Sequence, residues 1–378
     1  MKHVFLTGAT GNVGGRILTE FLSDRNYRVT ALVRAPSRAA ALQRLAPVLS
    51  FWEAAPPGDR LDVIPGDIER PGLGLDAEAR KRLVDSITHI VHCAANIKLN
   101  LSVAEARQLI VEGTRQVLSV AKPAHTSGRL QRFVFVSTME VAGDYDGIVY
   151  EEFLDRYPRN FLNTYEIAKA EAESVIRDEI AGGLPAVVVR PSMVVGESTS
   201  GKALGYQSFY YFLDDMLLKP KGPILPRGCN VETCPVDILA TVVKLAGEDA
   251  ETVGKVFQVT QSYHDYVSFE NLIDQLSDQA ERVLGTRPKR PVYVAPKYIW
   301  WLLSGLSRVT FGKVRQQIEN QKLFLAFTFL NFRFDNTNTV ALLERHGKHF
   351  PRFSEYFSAL VERYLQEARR TKKRPTLA

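Results

Sequence analysis

The sequence predicts an α/β protein built on a doubly wound parallel sheet, with a smaller, mostly helical C-terminal region, and three observations predict it. Short β-branched runs alternate with helix-length amphipathic segments through roughly the first two hundred of 378 residues, the rhythm of strands joined by crossover helices. The runs are continuously apolar, as strands covered on both faces are. A glycine-rich turn follows the first run directly.

In chain order the expected strands are HVFLTG, YRVTALVR, DVIPGD, HIVHCAA, RFVFVST and AVVVRPS, separated by segments long enough for a crossover helix. After Gly201 the pattern loosens into aromatic stretches with Pro/Gly punctuation, and GKVFQVTQ reads as one more strand of the same sheet. A composition of 45% apolar and 24% charged residues fits a globular chain with a large core. The start, MKHVFLTGATG, lacks the features of a signal peptide, so a cytoplasmic protein is expected. Cys93, Cys229 and Cys234 are odd in number and lack metal-ligand spacing, which predicts buried thiols and no metal site. Part of the net charge of +6 sits in the tail ARRTKKRPTLA, a solvated end or a lure for an anionic membrane or an acidic carrier protein. No nucleic-acid motif accompanies the charge, so no nucleic-acid partner is expected.

The strongest local motif is TGATGNVGG, in which Gly8, Gly11 and Gly14 follow a strand and open a helix. Glycine allows the tight turn and close backbone approach to a pyrophosphate, and the free N–H groups of the helix start attract its charge. The expected fold is therefore Rossmann-type. An NAD-binding chain would carry an acidic residue at the end of the second strand. Here the segment is TALVRAPSRAAALQRL, with Arg34, Arg38 and Arg44 and no carboxylate, which predicts pairing with a 2′-phosphate and so NADPH. Asp67 in PGDI stands where a strand-end carboxylate would meet adenine or cap a turn.

The segment NTYEIAKAEAE sets Tyr165 and Lys169 four residues apart, on one face of a predicted helix. A neighbouring ammonium favours the tyrosinate, so the pair predicts a phenol lowered toward neutrality that donates or accepts a proton. Upstream, VFVSTMEVAG ends a strand with Ser137 and Thr138, one of whose hydroxyls would bond a substrate oxygen beside Tyr165.

In this order, TGATGNVGG, HCAAN, VST, YEIAK and VVVRPSMVVG resemble the extended short-chain dehydrogenases/reductases over the first half of the chain. LVRAPSRAAALQRL, HCAANIKLN, YEIAKAEAE and CPVDILATVVKLA are similar to the thioester reductase and fatty acyl-CoA reductase (male sterility-like) group. The resemblance implies Thr138, Tyr165 and Lys169 as the triad, with Lys169 also on the nicotinamide ribose. It implies Gly8, Thr10, Gly11, Asn12, Val13 and Gly14 around the pyrophosphate and Arg34 and Arg44 on the 2′-phosphate. Asp67 and Ile68 would flank adenine, and Ala94, Ala95, Pro191, Ser192, Met193 and Val194 would border ribose and nicotinamide. One departure is visible: where the family carries Asn in N-V-x-G-T, this chain has IVEGT with Ile110, so a proton relay through that asparagine needs another route.

The implied division is an NADP-binding Rossmann domain at 1–205, with 232–262 returning to it, and a substrate-binding region at 206–231 and 263–378. The implied reaction is NADPH-dependent reduction of a fatty acyl thioester, on CoA or an acyl carrier protein, to the aldehyde or on to the alcohol. An epimerase or a hydroxysteroid/ketone dehydrogenase would use the same triad, and a non-catalytic NADP(H)-sensing module would bind cofactor alone. VYVAPKYIWWLLSGLSRVTFG and KLFLAFTFLNFRFDNTNTVALLERHG carry apolar runs shorter than the ~20 residues of a membrane span. Trp300, Trp301, Leu302 and Phe324 there read as an acyl-chain pocket, an interfacial lipid contact or ordinary helical core. Cys93 reads as a buried strand-end thiol, and His346 and His349 as surface residues.

Overall fold

The computed structural model describes residues 1–371 except 55, 96–100, 207–208, 218–223, 227–229, 286, 288, 313, 317, 320–321 and 323–332. Cys229, Phe324 and the end of the basic tail lie outside the described residues. Seven strands form one parallel sheet: β1 (Lys2–Thr7), β2 (Tyr27–Val33), β3 (Leu61–Pro65), β4 (His89–His92), β5 (Arg132–Val136), β6 (Ala186–Pro191) and β7 (Val256–Val259). Their spatial order is β7-β6-β5-β4-β1-β2-β3, all pairings parallel. The order reverses between β1 and β4, and ligands of open α/β sheets bind in the crevice at the strands' C-terminal ends there. All six expected strands are present, and GKVFQVTQ supplies the seventh.

Helices α1 (Asn12–Ser23), α2 (Arg38–Phe51), α3 (Ala77–Val84), α4 (Gly113–Thr126), α5 (Thr164–Ala181) and α6 (Val236–Glu248) cover the sheet. One apolar layer joins β1, β2, α1, α2 and α6, and a second joins β4, β5, α4 and α5. Gly15 lets α1 meet α2, since a Cβ there would lie 2.4 Å from Val48 Cγ1. The buried carboxyl of Glu151 ties the sheet edge to the helix α8 (Thr337–Arg345). It accepts the Gln258 N–H at 2.7 Å and the Thr339 hydroxyl at 2.6 Å.

The C-terminal region is mostly helical, with a core of its own. Phe209, Tyr210 and Phe212 of the helix Phe209–Leu217 pack with α7 (Phe269–Leu284) and α10 (Phe353–Thr371). Tyr206, Tyr210 and Tyr364 meet there at ring separations of 4.6–5.5 Å. Helix α9 runs from Pro296 to Val309, between α7 and α8 in sequence. Trp301 on it is 82% exposed and Leu302 56%, so these side chains neither wall a closed pocket nor join a helical core. Among the described residues no helix is long and apolar enough to cross a membrane.

Candidate active site

Strand β1 ends in the glycine turn, where Gly8 and Gly14 have spatial reasons. Gly8 has φ +84°, and a Cβ on it would stand 2.8 Å from the Ala94 nitrogen at the end of β4. A Cβ on Gly14 would lie 2.1 Å from the Gly8 carbonyl oxygen. Gly11, exposed, donates its N–H to that oxygen at 3.0 Å and starts α1 without a side-chain cap. The first-turn N–H groups of α1 thus form a cradle suited to a pyrophosphate. Thr10 and Val13 are half-buried beside it. Asn12 is committed elsewhere, its side-chain oxygen accepting the Leu204 N–H at 2.9 Å.

At the end of β2, Arg44 donates to the Arg34 carbonyl at 2.7 Å. Arg34 itself is exposed, 3.4 Å from Glu69. Arg38 is taken by Asp62 at 2.8 Å. Arg34 and Arg44 therefore meet just beyond β2, the Arg44 guanidinium on the Arg34 backbone. Asp67 caps a turn, accepting the Glu69 N–H at 3.1 Å, and Ile68 lies against Gly113, where a Cβ would approach it to 3.2 Å. Ala94 and Ala95 follow β4 half-buried. Pro191 and Ser192 are buried at the end of β6, and the half-buried Met193 and Val194 begin a short strand, Met193–Val195, paired with Thr233–Pro235.

Beneath the turn runs a closed chain of hydrogen bonds. Ala94 N–H donates to Thr7 Oγ at 3.2 Å, and Thr7 Oγ lies 2.8 Å from His92 Nδ1. His92 Nε2 lies 3.2 Å from Thr114 Oγ, which donates to the Ile110 carbonyl at 2.7 Å. Since the Thr114 proton is spent on Ile110, His92 carries its proton on Nε2 and accepts from Thr7. Burial foremost, then Lys169, pulls His92 down to about 3, so it is a neutral strut joining the crevice floor to Ile110. Ile110 is 4% exposed in the π-helical turn Arg107–Glu112; its side chain has no exchangeable proton.

Thr138 follows β5 in extended conformation and caps the 3₁₀ turn Met139–Ala142, its Oγ accepting the Glu140 N–H at 3.3 Å. Its hydroxyl stands beside the Tyr165 phenol and favours the tyrosinate. Asn163 caps α5 through the Glu166 N–H at 3.0 Å, which places Tyr165 in the first turn and Lys169 one turn on. Lys169, 2% exposed, donates to the Val136 carbonyl at 2.8 Å and stands 4.3 Å over the Phe135 ring. Burial pulls it down to about 8, against the attraction of Cys93 and Glu173.

The three side chains therefore converge, but the electrostatics differ from the sequence expectation of a lowered phenol. Burial pushes Tyr165 up, then Glu140 and Cys93 push further, and only the Thr138 hydrogen bond opposes them. Burial of the phenol is the main reason, and Lys169 is turned to the Val136 carbonyl and the Phe135 ring. Sequence reasoning passed over the carboxyls of Glu140 and Glu166, although both stand inside the quoted motifs STMEV and TYEIAK. The Cys93 thiol, pushed up to about 12 by burial, is protonated and no nucleophile. His346 lies 3.3 Å from Asp249, and His349 is exposed.

Residues 6–243 match the model of the NAD-binding family described as male sterility protein. Among curated relatives, the chain is 27% identical over 260 residues to glycine betaine reductase ATRR of Emericella nidulans, covering 66% of this chain and 20% of that protein. It is 27% identical over 226 residues to fatty acyl-CoA reductase wat of Drosophila melanogaster, covering 51% of this chain and 43% of that protein. The chain thus spans less than half the length of these relatives. Its fold is similar to the terminal R domain of the myxalamid PKS-NRPS pathway, with a TM-score of 0.77, 20% identity and coverage of 100% of this chain and 93% of that one.

Proposed function

Because the chain belongs to the male sterility protein family, we propose that it is an NADPH-dependent reductase of fatty acyl thioesters, carried on CoA or an acyl carrier protein. The observation that carries this reading is the convergence of Thr138, Tyr165 and Lys169 beside a crevice whose glycines leave room for backbone approach. The curated fatty acyl-CoA reductase among its relatives supports the substrate class. The proposed division is an NADP-binding domain at 1–205 with 232–262, and a substrate-binding region at 206–231 and 263–378.

The residues present fit the cofactor. Gly8, Gly11, Gly14 and the α1 start would hold the pyrophosphate, with Thr10, Asn12 and Val13 around it. Arg34 and Arg44 would hold the 2′-phosphate, Asp67 and Ile68 adenine, and Ala94, Ala95 and Pro191 to Val194 the ribose and nicotinamide. When bound, NADPH supplies the hydride that reduces the thioester carbonyl. Tyr165 and Thr138 hold the carbonyl oxygen, and Tyr165 protonates it as negative charge develops there. Lys169, anchored at Val136, presents its remaining N–H groups to the ribose. Collapse expels the thiol and leaves the aldehyde; a second round would give the alcohol.

The test is NADPH oxidation with a panel of acyl-CoA and acyl-carrier thioesters. Turnover is expected to be much faster with NADPH than with NADH, and Arg34→Ala should raise the NADPH KM at least about tenfold with little effect on the NADH KM. Turnover only on ketones or sugar nucleotides, or cofactor binding with no turnover, overturns the reading.

Helix α9 supports a second partner, an anionic lipid surface. Tyr298, Trp301, Leu302, Leu306 and Val309 recur at helical spacing on its exposed side, and residues 296–316 contain Lys and Arg but no acidic residue. An aromatic stripe with cationic flanks is the pattern of a helix lying in a membrane interface. Cosedimentation with phosphatidylcholine vesicles containing phosphatidylserine should capture the protein, and Trp301→Asp should cut capture about tenfold. Equal capture by neutral vesicles, or by the variant, removes the proposal.

A further inference from the structure

The turn that follows Thr138 carries a carboxyl for which the fold has no structural use. Glu140 Oε2 is buried and has no hydrogen-bond partner among the described residues. A buried acceptor left unpaired is destabilising, so its presence at this place calls for a reason. Glu166 shows what a structural carboxyl looks like in the same neighbourhood. It accepts the Leu162 N–H at 2.7 Å and the Asn163 side-chain N–H at 2.6 Å, closing the start of α5. Asp144, on the loop beyond the turn, is likewise satisfied, by the Asn160 backbone and side-chain N–H groups at 2.6 and 2.9 Å.

Glu140 lies near enough to Tyr165 and Glu166 on α5 for its charge to act on both, with its Oε2 hydrogen-bonded to neither. Its own N–H is fixed to Thr138 Oγ, so the backbone that aims Thr138 at the phenol also aims Glu140. Near the same crevice Ile110 offers no proton, and its carbonyl already accepts from Thr114. Lys169 is held by Val136, and the Cys93 thiol keeps its proton.

We propose that Glu140 is the proton-transfer partner of Tyr165, returning the phenolate to phenol after each reduction. The inference rests on the reductase reading above. As hydride reaches the carbonyl carbon, the C=O electron pair becomes an alkoxide, which takes the Tyr165 proton. The tyrosinate then takes the proton of the Glu140 carboxyl through a bridging water, since Glu140 Oε2 bonds to no side chain directly, and solvent water reprotonates the resulting carboxylate. Burial holds Glu140 up to about 7, while the phenol is held far higher, so the second transfer runs downhill, and an acid near the working pH is refilled readily.

The test uses the full chain and two variants. Infrared titration of the wild type should show a protonated carboxyl band lost near neutral pH and absent in Glu140→Gln. With an acyl thioester and NADPH, Glu140→Gln should lower kcat about 10²-fold, leave KM within about threefold and abolish the alkaline fall of the kcat–pH profile assigned to Glu140; a fall surviving in the variant belongs to Glu166. Added formate should restore turnover to Glu140→Ala, which a merely structural role would not allow. An unchanged kcat and pH profile in Glu140→Gln, or a loss that formate does not rescue, overturns this inference alone. A folded wild type that binds NADPH but reduces no thioester sinks the reductase reading and this inference with it.

Discussion

Tyr165→Phe is expected to lower kcat about 10³–10⁴-fold while leaving NADPH affinity within about threefold. The phenol oxygen stands beside the Thr138 hydroxyl and carries the proton to be given up. Phenylalanine keeps the ring, which packs against the layer under β5 and α5, so the α5 start should hold its shape. Fluorescence titration with NADPH and single-turnover kinetics separate the two quantities. Retained turnover would remove Tyr165 from the proposed chemistry. Equal losses of turnover and cofactor affinity would instead make it a ribose contact. Thr138→Val should fall between, because it removes one donor to the developing oxyanion while leaving the acid in place.

The sheet was legible because period and composition report local burial directly: a parallel strand covered on both faces reads as an apolar run, and each crossover reads as an amphipathic helix. Gly8 and Gly14 were legible for a related reason, since only glycine survives contacts of 2.8 and 2.1 Å at a Cβ position. Glu140 was not. Its burial comes from the 3₁₀ turn folding back onto α5, a tertiary event that leaves no period in STMEV. The direction of Lys169 was hidden likewise, because helical spacing places it on the Tyr165 face but says nothing of the Val136 carbonyl that takes its proton. In the C-terminal region Phe209, Tyr210 and Phe212 bury with the aromatic residues of α10, while those of α9 face outward. Both segments read alike because apolar spacing alone does not say which partner covers a helix.

Arg190 shows the same limit with the largest consequence for stability. The run AVVVRPS reads as an apolar strand with a charge near its end, yet Arg190 is wholly buried. Its Nε lies 3.1 and 3.2 Å from the two carboxyl oxygens of Glu173, and its Nη2 contacts the same group. Ser137 donates to that carboxyl at 2.6 Å. One carboxylate thus joins β6 to α5 and to the residue before Thr138, four positions beyond Lys169. Removing one partner of a buried pair leaves the other charge without compensation, at about 3–5 kcal/mol. Arg190→Met should therefore lower Tm by roughly 10 °C, and Glu173→Met should do about the same. The double variant should recover most of the loss, because two apolar side chains of similar volume leave no orphaned charge. Denaturant unfolding of the four proteins measures this directly; additive losses would mean that the side chains act independently. The site should also register the single change. Unpaired, Glu173 would attract the Lys169 ammonium more strongly and raise it from its position near 8, so in folded Arg190→Met any pH dependence carried by Lys169 should move upward, and in the double variant it should move downward.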